Sequence, residues 1–275
     1  MAVARLPGSF ARVSGDSWFS FVTVRPQMPD VKLNFKLENL RVVLVAPRNP
    51  LNIGAAARAM SNFGAFHLRV VRPYEKAFRE AVSAVGASGI LAKAEEFDGI
   101  AEAVSDCSLV VGTTAIGNRE LQHPLYPLSQ AAPKLRSRLL NGSVALLFGS
   151  EKWGLSNDDL SHCHWLLHIP AREDHRSMNL GQAVAVCLYE LVRMPAPRSA
   201  AAKPGEMASM QTVDRITAAL LESLQISGYV KPRAGASAGQ KLRRMIRRFA
   251  LQSADAEVLL GMLHKLLWKL RSTKS

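Results

Sequence analysis

Short apolar runs rich in β-branched residues recur along the first two thirds of the chain, at Val42 to Ala46, Leu68 to Val71, Leu109 to Val111, Val144 to Phe148 and Trp165 to Ile169. Each is strand-sized. Between them the apolar positions repeat with a period of about 3.6 residues. This predicts helices over Ile53 to Phe63, Ile100 to Cys107, Leu128 to Leu139 and Leu180 to Arg193, with a short one after Ser156-Asn157. Strands and helices alternating at this spacing predict an α/β fold: a parallel sheet covered on both faces, with its chemistry on loops at the carboxyl ends of the strands.

The pattern changes after residue 194. Pro195 to Ser209 is dominated by Pro, Ala, Ser, Lys and Gly and reads as a linker. Three apolar stripes at helical spacing follow: Val213, Ile216, Leu220 and Leu224; Leu242, Met245, Ile246 and Phe249; Leu259, Met262, Leu263, Leu266 and Leu270. Ser253 is suited to cap the last helix, with Asp255 and Glu257 in its first turn and Arg271 and Lys274 near its end. The expected organisation is an N-terminal extension over residues 1–38, an α/β domain over 39–194, a linker over 195–210 and a small all-helical module over 211–275. Arg5, Arg12 and Arg25 lie in the extension without the apolar core of a signal peptide, so the first 27 residues read as a loose tail or as sequence preceding a natural start at Met28.

With 275 residues and 48% hydrophobic composition, the chain can bury a substantial core. Its formal charge of +13 points to a polyanionic partner, nucleic acid first. The charge is localised: from Lys203 to Ser275 there are thirteen Lys or Arg against five Asp or Glu. Lys241, Arg243, Arg244, Arg247 and Arg248 crowd one predicted helix without an acid among them, as expected of a phosphate-binding face. No apolar run is long enough for a membrane helix. Three cysteines without C-x-x-C spacing suggest neither a disulfide framework nor a zinc ribbon, and they fit a reducing cytoplasm. His162, His164 and His168 would share one face of an extended strand but have no pairing acid or thiol at ligand spacing, so no metal site is expected.

Three polar, glycine-flanked segments lie at or beyond predicted strand ends. Asn52-Ile53-Gly54 leads to Ala57-Arg58, with Asn52 the expected helix cap and Gly54 and Arg58 one turn apart on a face open to a ligand. Phe148-Gly149-Ser150-Glu151 leads to Gly154-Leu155, and Ser177-Met178-Asn179-Leu180 opens a helix. The glycine patterns of dinucleotide-binding and P-loop proteins are absent, which disfavours both classes.

In order, the segments resemble the three motifs of the SpoU branch of the SPOUT methyltransferases: N-x-G-x-x-A-R, F-G-x-E-x-x-G-L and S-x-N-L. The similarity runs from about Leu40 to Leu270, through Gly112-Thr113-Thr114 and Lys241-Leu242-Arg243-Arg244, and within that branch it is to the anticodon-loop ribose methyltransferases of tRNA. The resemblance implies a C-terminal trefoil knot in the sheet domain, a cytoplasmic homodimer, S-adenosylmethionine as methyl donor, and tRNA as partner, methylated on the ribose 2′-hydroxyl of cytidine or uridine at nucleotide 32. It implies catalytic roles for Asn52, Arg58, Glu151, Ser177 and Asn179. It also implies a donor pocket lined by Thr113, Thr114, Ala115, Gly149, Ile169, Arg176, Ser177 and Met178, with Arg119 and the basic helix on the RNA. A target elsewhere in tRNA or in ribosomal RNA, or a noncatalytic RNA-binding role, stays open at this point.

Overall fold

A computed structural model describes residues 37–74, 88–115, 122–172, 174, 177–193 and 206–272. Seven strands form one sheet, all neighbours parallel: β1 (Leu40–Val45), β2 (His67–Val71), β3 (Glu95–Phe97), β4 (Leu109–Thr113), β5 (Leu125–Pro127), β6 (Val144–Phe148) and β7 (Trp165–His168), in the spatial order β3-β2-β1-β6-β4-β7-β5. The inner strands read as continuous apolar runs because both faces are covered. Val42, Leu44, Leu146 and Phe148 point into one core, and Val43, Val45, Ala145 and Leu147 into the other. The short outermost strands β3 and β5 carry no such run and are not evident from the apolar pattern. Glu95 and Glu96 face solvent on one edge, and β5 ends in Pro127 on the other, where a strand tolerates polar residues and proline.

The helices are α1 (Pro50–Phe63), α2 (Ser88–Leu91), α3 (Ile100–Ala103), α4 (Leu128–Leu139), α5 (Asn157–Ser161), α6 (Leu180–Val192), α7 (Met210–Ile226), α8 (Gly235–Arg248) and α9 (Ser253–Ser272). The cap of α1 is Asn49, not Asn52: the Asn49 side chain accepts from the Leu51 amide, Pro50 supplies a prearranged φ, and Gly64 ends the helix at φ 72°. Asn52 is thereby left inside the first turn with its side chain available for other contacts. Leu37, in a short 3-10 turn over Leu37–Asn39, is already buried in the core, so the folded unit begins before the expected boundary at residue 39. The rest of the predicted extension, residues 1–36, lies outside the described residues.

The three C-terminal helices are present, but they belong to the same packed unit as the sheet. Met210, Val213, Ile216, Ile246, Leu260 and Leu263 share one core with Val43, Val45, Val110 and Leu147. The Met210 and Gln211 amides donate to the carbonyls of Cys107 and Ser105. The end of the predicted linker is packed too: Ala208 is buried and donates to Leu251, while residues 194–205 lie outside the described residues. On α9 the buried face is Ala256, Leu260, Leu263 and Leu267, whereas Met262 and Leu266 of the expected stripe face outward. Ser253 is the first residue of that helix and donates its amide to Glu206.

Helix α8 is fastened to α5. Arg247 is fully buried, pairs with Asp214 at 2.9 Å and donates to the Ser161 carbonyl at 3.0 Å. Arg243 donates to the Ser161 hydroxyl at 2.8 Å, and Gln240 donates to Asp158 at 3.2 Å. Arg247 is therefore no phosphate ligand, and Arg243 is largely engaged within the protein. Burial pushes the Arg247 guanidinium down and the Asp214 carboxyl up, against their mutual attraction, so each ion depends on the other to remain charged. Asp214→Ala should lower stability by about 3 kcal/mol, because it leaves a buried cation unpaired; the urea unfolding midpoint measures it.

The predicted histidine face does not form. His162 ends α5 in helical geometry rather than starting β7, and His164 accepts from the Val110 amide through Nδ1. Among the described residues no group of three or more His, Cys, Asp or Glu could hold a metal ion, and no helix is long and apolar enough to cross a membrane. Burial, reinforced by Arg247, pushes His162 down to about 2 and His164 down to about 3. Below pH ~6.5 the unfolded chain takes up protons that these two sites refuse, so stability falls as pH falls. Between pH 7 and 5.5 the two should remove about 2 kcal/mol of unfolding free energy. Urea titrations at the two pH values read this, and His162→Leu should make the decline about 1 kcal/mol smaller.

Candidate active site

At the carboxyl ends of β4, β6 and β7 a cavity of about 410 Å³ opens between Thr113, Thr114, Phe148, Gly149, Ile169 and the chain entering α6. Its position follows from topology, since crossover helices cover the faces of a parallel sheet and leave the strand ends to loops. Thr113, Thr114, Ala115, Gly149, Ile169, Ser177 and Met178 all line it. Arg176 and Arg119 lie outside the described residues. The Thr113 hydroxyl donates to Leu147 at 2.9 Å and the Thr114 amide to Leu167 at 2.9 Å, which fixes the end of β4 to both neighbouring strands.

The second motif forms a tight reversal. The Gly154 amide donates to the Ser150 carbonyl at 2.8 Å, and Gly154 has φ +66°. A Cβ on Gly149 would stand 2.1 Å from the Gly154 carbonyl carbon and 2.2 Å from the Leu155 nitrogen, so only glycine fits. Leu155 then turns inward, and Ser156 and Asp159 cap α5 reciprocally.

This reversal presents Glu151 to the loop after β1. Its carboxylate accepts from the Arg48 amide at 3.1 Å, the Asn49 amide at 3.1 Å and the Asn52 side chain at 3.0 Å. Asn179 donates to Asn52 Oδ1 at 2.7 Å, while its own Oδ1 caps α6 by accepting from the Gly181 and Gln182 amides. Partial burial raises the Glu151 pKa, but hydrogen bonds from Asn52 and from backbone amides outweigh it and hold the carboxyl below its ordinary value. Glu151 is thus an ionised anchor with its acceptor positions occupied, better placed to hold the three motifs together than to remove a proton.

Arg58 stands apart. It is exposed, does not line the cavity and makes no hydrogen bond or ion pair with the described residues. Six residues on from Asn52, it lies about 9 Å along the helix and a third of a turn around it. The expected common face with Gly54 is not open to a ligand, since Gly54 is buried. The small residues around it allow α1 to approach α6 closely: a Cβ on Gly181 would stand 2.5 Å from the Ala55 Cβ. Among the basic residues of α8, Lys241 and Arg248 are exposed and Arg244 is half-buried. The nearby His123, which the sequence does not single out, is pushed down to about 4 by its burial and by Arg244 and Arg248.

The sequence profile of the SpoU rRNA Methylase family matches residues 39–189, which span the sheet, the cavity and all three motifs. The chain belongs to this family. Among SpoU relatives, the tRNA (cytidine/uridine-2′-O-)-methyltransferase TrmJ of Cronobacter sakazakii is 36% identical over 235 residues, covering 82% of this chain and 95% of its own. The tRNA (cytidine/uridine/adenosine-2′-O-)-methyltransferase TrmJ of Pseudomonas aeruginosa is 38% identical over 242 residues, covering 82% and 93%. The crystal structure of TrmJ from Z. mobilis ZM4 superposes with a TM-score of 0.72 at 31% identity, over 82% of this chain and 98% of that one.

The two functions of Asn179, capping and bridging, can be separated. Asn179→Asp keeps the acceptor that caps α6 but loses the donor to Asn52, so thermal stability should stay close to wild type while methyltransferase activity falls at least tenfold. Asn179→Ala should also lose about 1 kcal/mol of stability, read by thermal unfolding.

Proposed function

We propose that this chain is an S-adenosylmethionine-dependent tRNA ribose 2′-O-methyltransferase that modifies cytidine or uridine at nucleotide 32 of the anticodon loop, and that it works as a cytoplasmic homodimer with its cavity in a trefoil knot. The observation that carries the reading is that the Glu151, Asn52 and Asn179 bonds tie three distant motifs together, with the second and third motifs lining one cavity. Membership of the SpoU family supports methyl transfer to RNA, and the TrmJ relatives, similar over more than nine tenths of their length, favour tRNA over ribosomal RNA.

The cavity suits the donor. Its volume lies in the range of small-molecule sites, and it combines apolar side chains at Leu155, Ile169, Met178 and Leu180 with hydroxyls and backbone groups at Thr114 and Ser177. When bound, S-adenosylmethionine supplies a methyl group on a positively charged sulfur, open to in-line attack by a ribose 2′-oxygen. The protein's part is to align that oxygen and to favour loss of its proton. The Arg58 guanidinium acts electrostatically, stabilising negative charge on the 2′-oxygen and holding a neighbouring phosphate. Its distance from its own cavity fits delivery to the cavity of a second copy. Exposed Leu51 on α1, Met178 before α6 and Tyr189 on α6 supply apolar surface for such a contact. Lys241, Arg244 and Arg248 are the cations of α8 left to meet tRNA phosphates.

Incubation with labelled S-adenosylmethionine and total tRNA, followed by mass-spectrometric mapping, should find 2′-O-methylation at nucleotide 32; methylation elsewhere, or none, overturns the assignment. Arg58→Ala should reduce turnover at least a hundredfold while tRNA affinity falls only severalfold, as for the loss of one phosphate contact. Combined Lys241→Ala and Arg248→Ala should weaken tRNA binding and make its salt dependence shallower, by ~0.7–0.9 in log–log slope for each phosphate that is no longer neutralised, measured by filter binding across a salt series.

A further inference from the structure

Trp153 lines the cavity yet is 66% exposed. Trp165, by contrast, is half-buried and packs edge-on against Tyr126 at 5.4 Å, and Trp268, 60% exposed on α9, does not line the cavity. The backbone that carries Trp153 is fixed in place. Its amide donates to the Ser150 hydroxyl at 3.3 Å, the Ser150–Gly154 bridge closes the turn beneath it, and Glu151 two residues earlier is tied down by Arg48, Asn49 and Asn52. An exposed aromatic ring carried on an anchored turn at the mouth of a cavity offers its face to a flat ligand.

The neighbouring charge narrows the chemistry. The Lys152 ammonium lies 4.7 Å from the centre of the indole ring, on an exposed and flexible side chain that a flat ligand can displace. A ligand with a planar ring beside a negative group fits both features, and a nucleotide has both. Two rings could compete for the position, the adenine of the methyl donor and a base of the RNA. Small ligands bury most of their surface, so the donor belongs in the interior, whereas a ring two-thirds exposed stands at the rim on the side of the incoming RNA.

We propose that Trp153 is the stacking platform for an unpaired nucleobase of the substrate, with Lys152 contacting the adjoining phosphate. This rests on the reading of the chain as an RNA ribose methyltransferase and deepens it by naming what the site selects. Bases inside a helix have both faces covered by neighbours, so such a platform accepts loop nucleotides and rejects paired ones. Every base offers a π-face, so Trp153 selects for the unpaired state rather than for base identity.

The test compares wild type, Trp153→Phe and Trp153→Ala in the full chain. A 17-nucleotide anticodon stem-loop, a fully paired duplex of the same length and S-adenosylhomocysteine serve as probes. Trp153→Ala should weaken stem-loop binding and raise the KM for tRNA about tenfold, while the affinity for S-adenosylhomocysteine, read by calorimetry, stays within twofold. Trp153→Phe should restore most of the loss, and the weak affinity for the duplex should be the same in all three proteins. Unchanged stem-loop affinity in Trp153→Ala overturns the proposal. So does a loss of S-adenosylhomocysteine affinity, which would assign the ring to the donor, or an equal loss of duplex binding, which would mean general electrostatics. The binding measurements need no turnover, so a wild-type protein that methylates no tRNA would refute the proposed function and leave the stacking result readable.

Discussion

The site depends on one carboxylate being surrounded by donors. Glu151 gathers two backbone amides and the Asn52 side chain, and Asn52 in turn holds Asn179 at the start of α6. Three loops that leave different strands are thereby tied at one point beside the cavity. Each contact alone is an ordinary hydrogen bond. They are interdependent, because a displaced Glu151 would leave three donors of the loop after β1 unpaired together and release the Asn52 side chain that holds Asn179. The Gly149 reversal matters for the same reason, as a side chain there would collide with the Gly154–Leu155 backbone and open the turn that aims Glu151 at the loop after β1.

How much of this is legible in the sequence differs by element. Helix α4 occupies the span its periodicity predicts, and the central strands are where apolar runs promise them, because two-sided burial leaves a strong signal. β3 and β5 leave none, since edge strands tolerate charge and proline. The lining of the cavity is legible through the family motifs rather than through any physical pattern; nothing in the spacing of Thr113 and Ile169 says that they meet. Asn52 reads as a cap because Asn is a good cap. Asn49 takes that position with Pro50 behind it, and Asn52 is left to bind Glu151. Local propensity identifies the right residue type, and tertiary contact decides which asparagine does what.

Helix α8 shows why charge counting alone misleads. Five cations in eight positions resemble one phosphate-facing surface. In the fold the helix divides them: Arg247 is internal, paired with Asp214 and bound to the end of α5, Arg243 grips Ser161, and only the remainder is available to an external anion. A dense basic run can thus serve as fastening on one side and as a binding face on the other. Sequence cannot apportion it, because the division depends on acids and carbonyls supplied by distant segments.

The core shared by α7 to α9 and the sheet has a consequence for how this architecture can change. A segment joined by a tether can be exchanged or lost without harm to its neighbour, but here Val43, Val45 and Leu147 would lose their cover together with the C-terminal helices. Shortened forms of the chain ending near residue 205 should therefore aggregate rather than persist as minimal enzymes. Changes on the outer surface of α8 would have to arise in step with a core that the same helix helps to cover through Ile246.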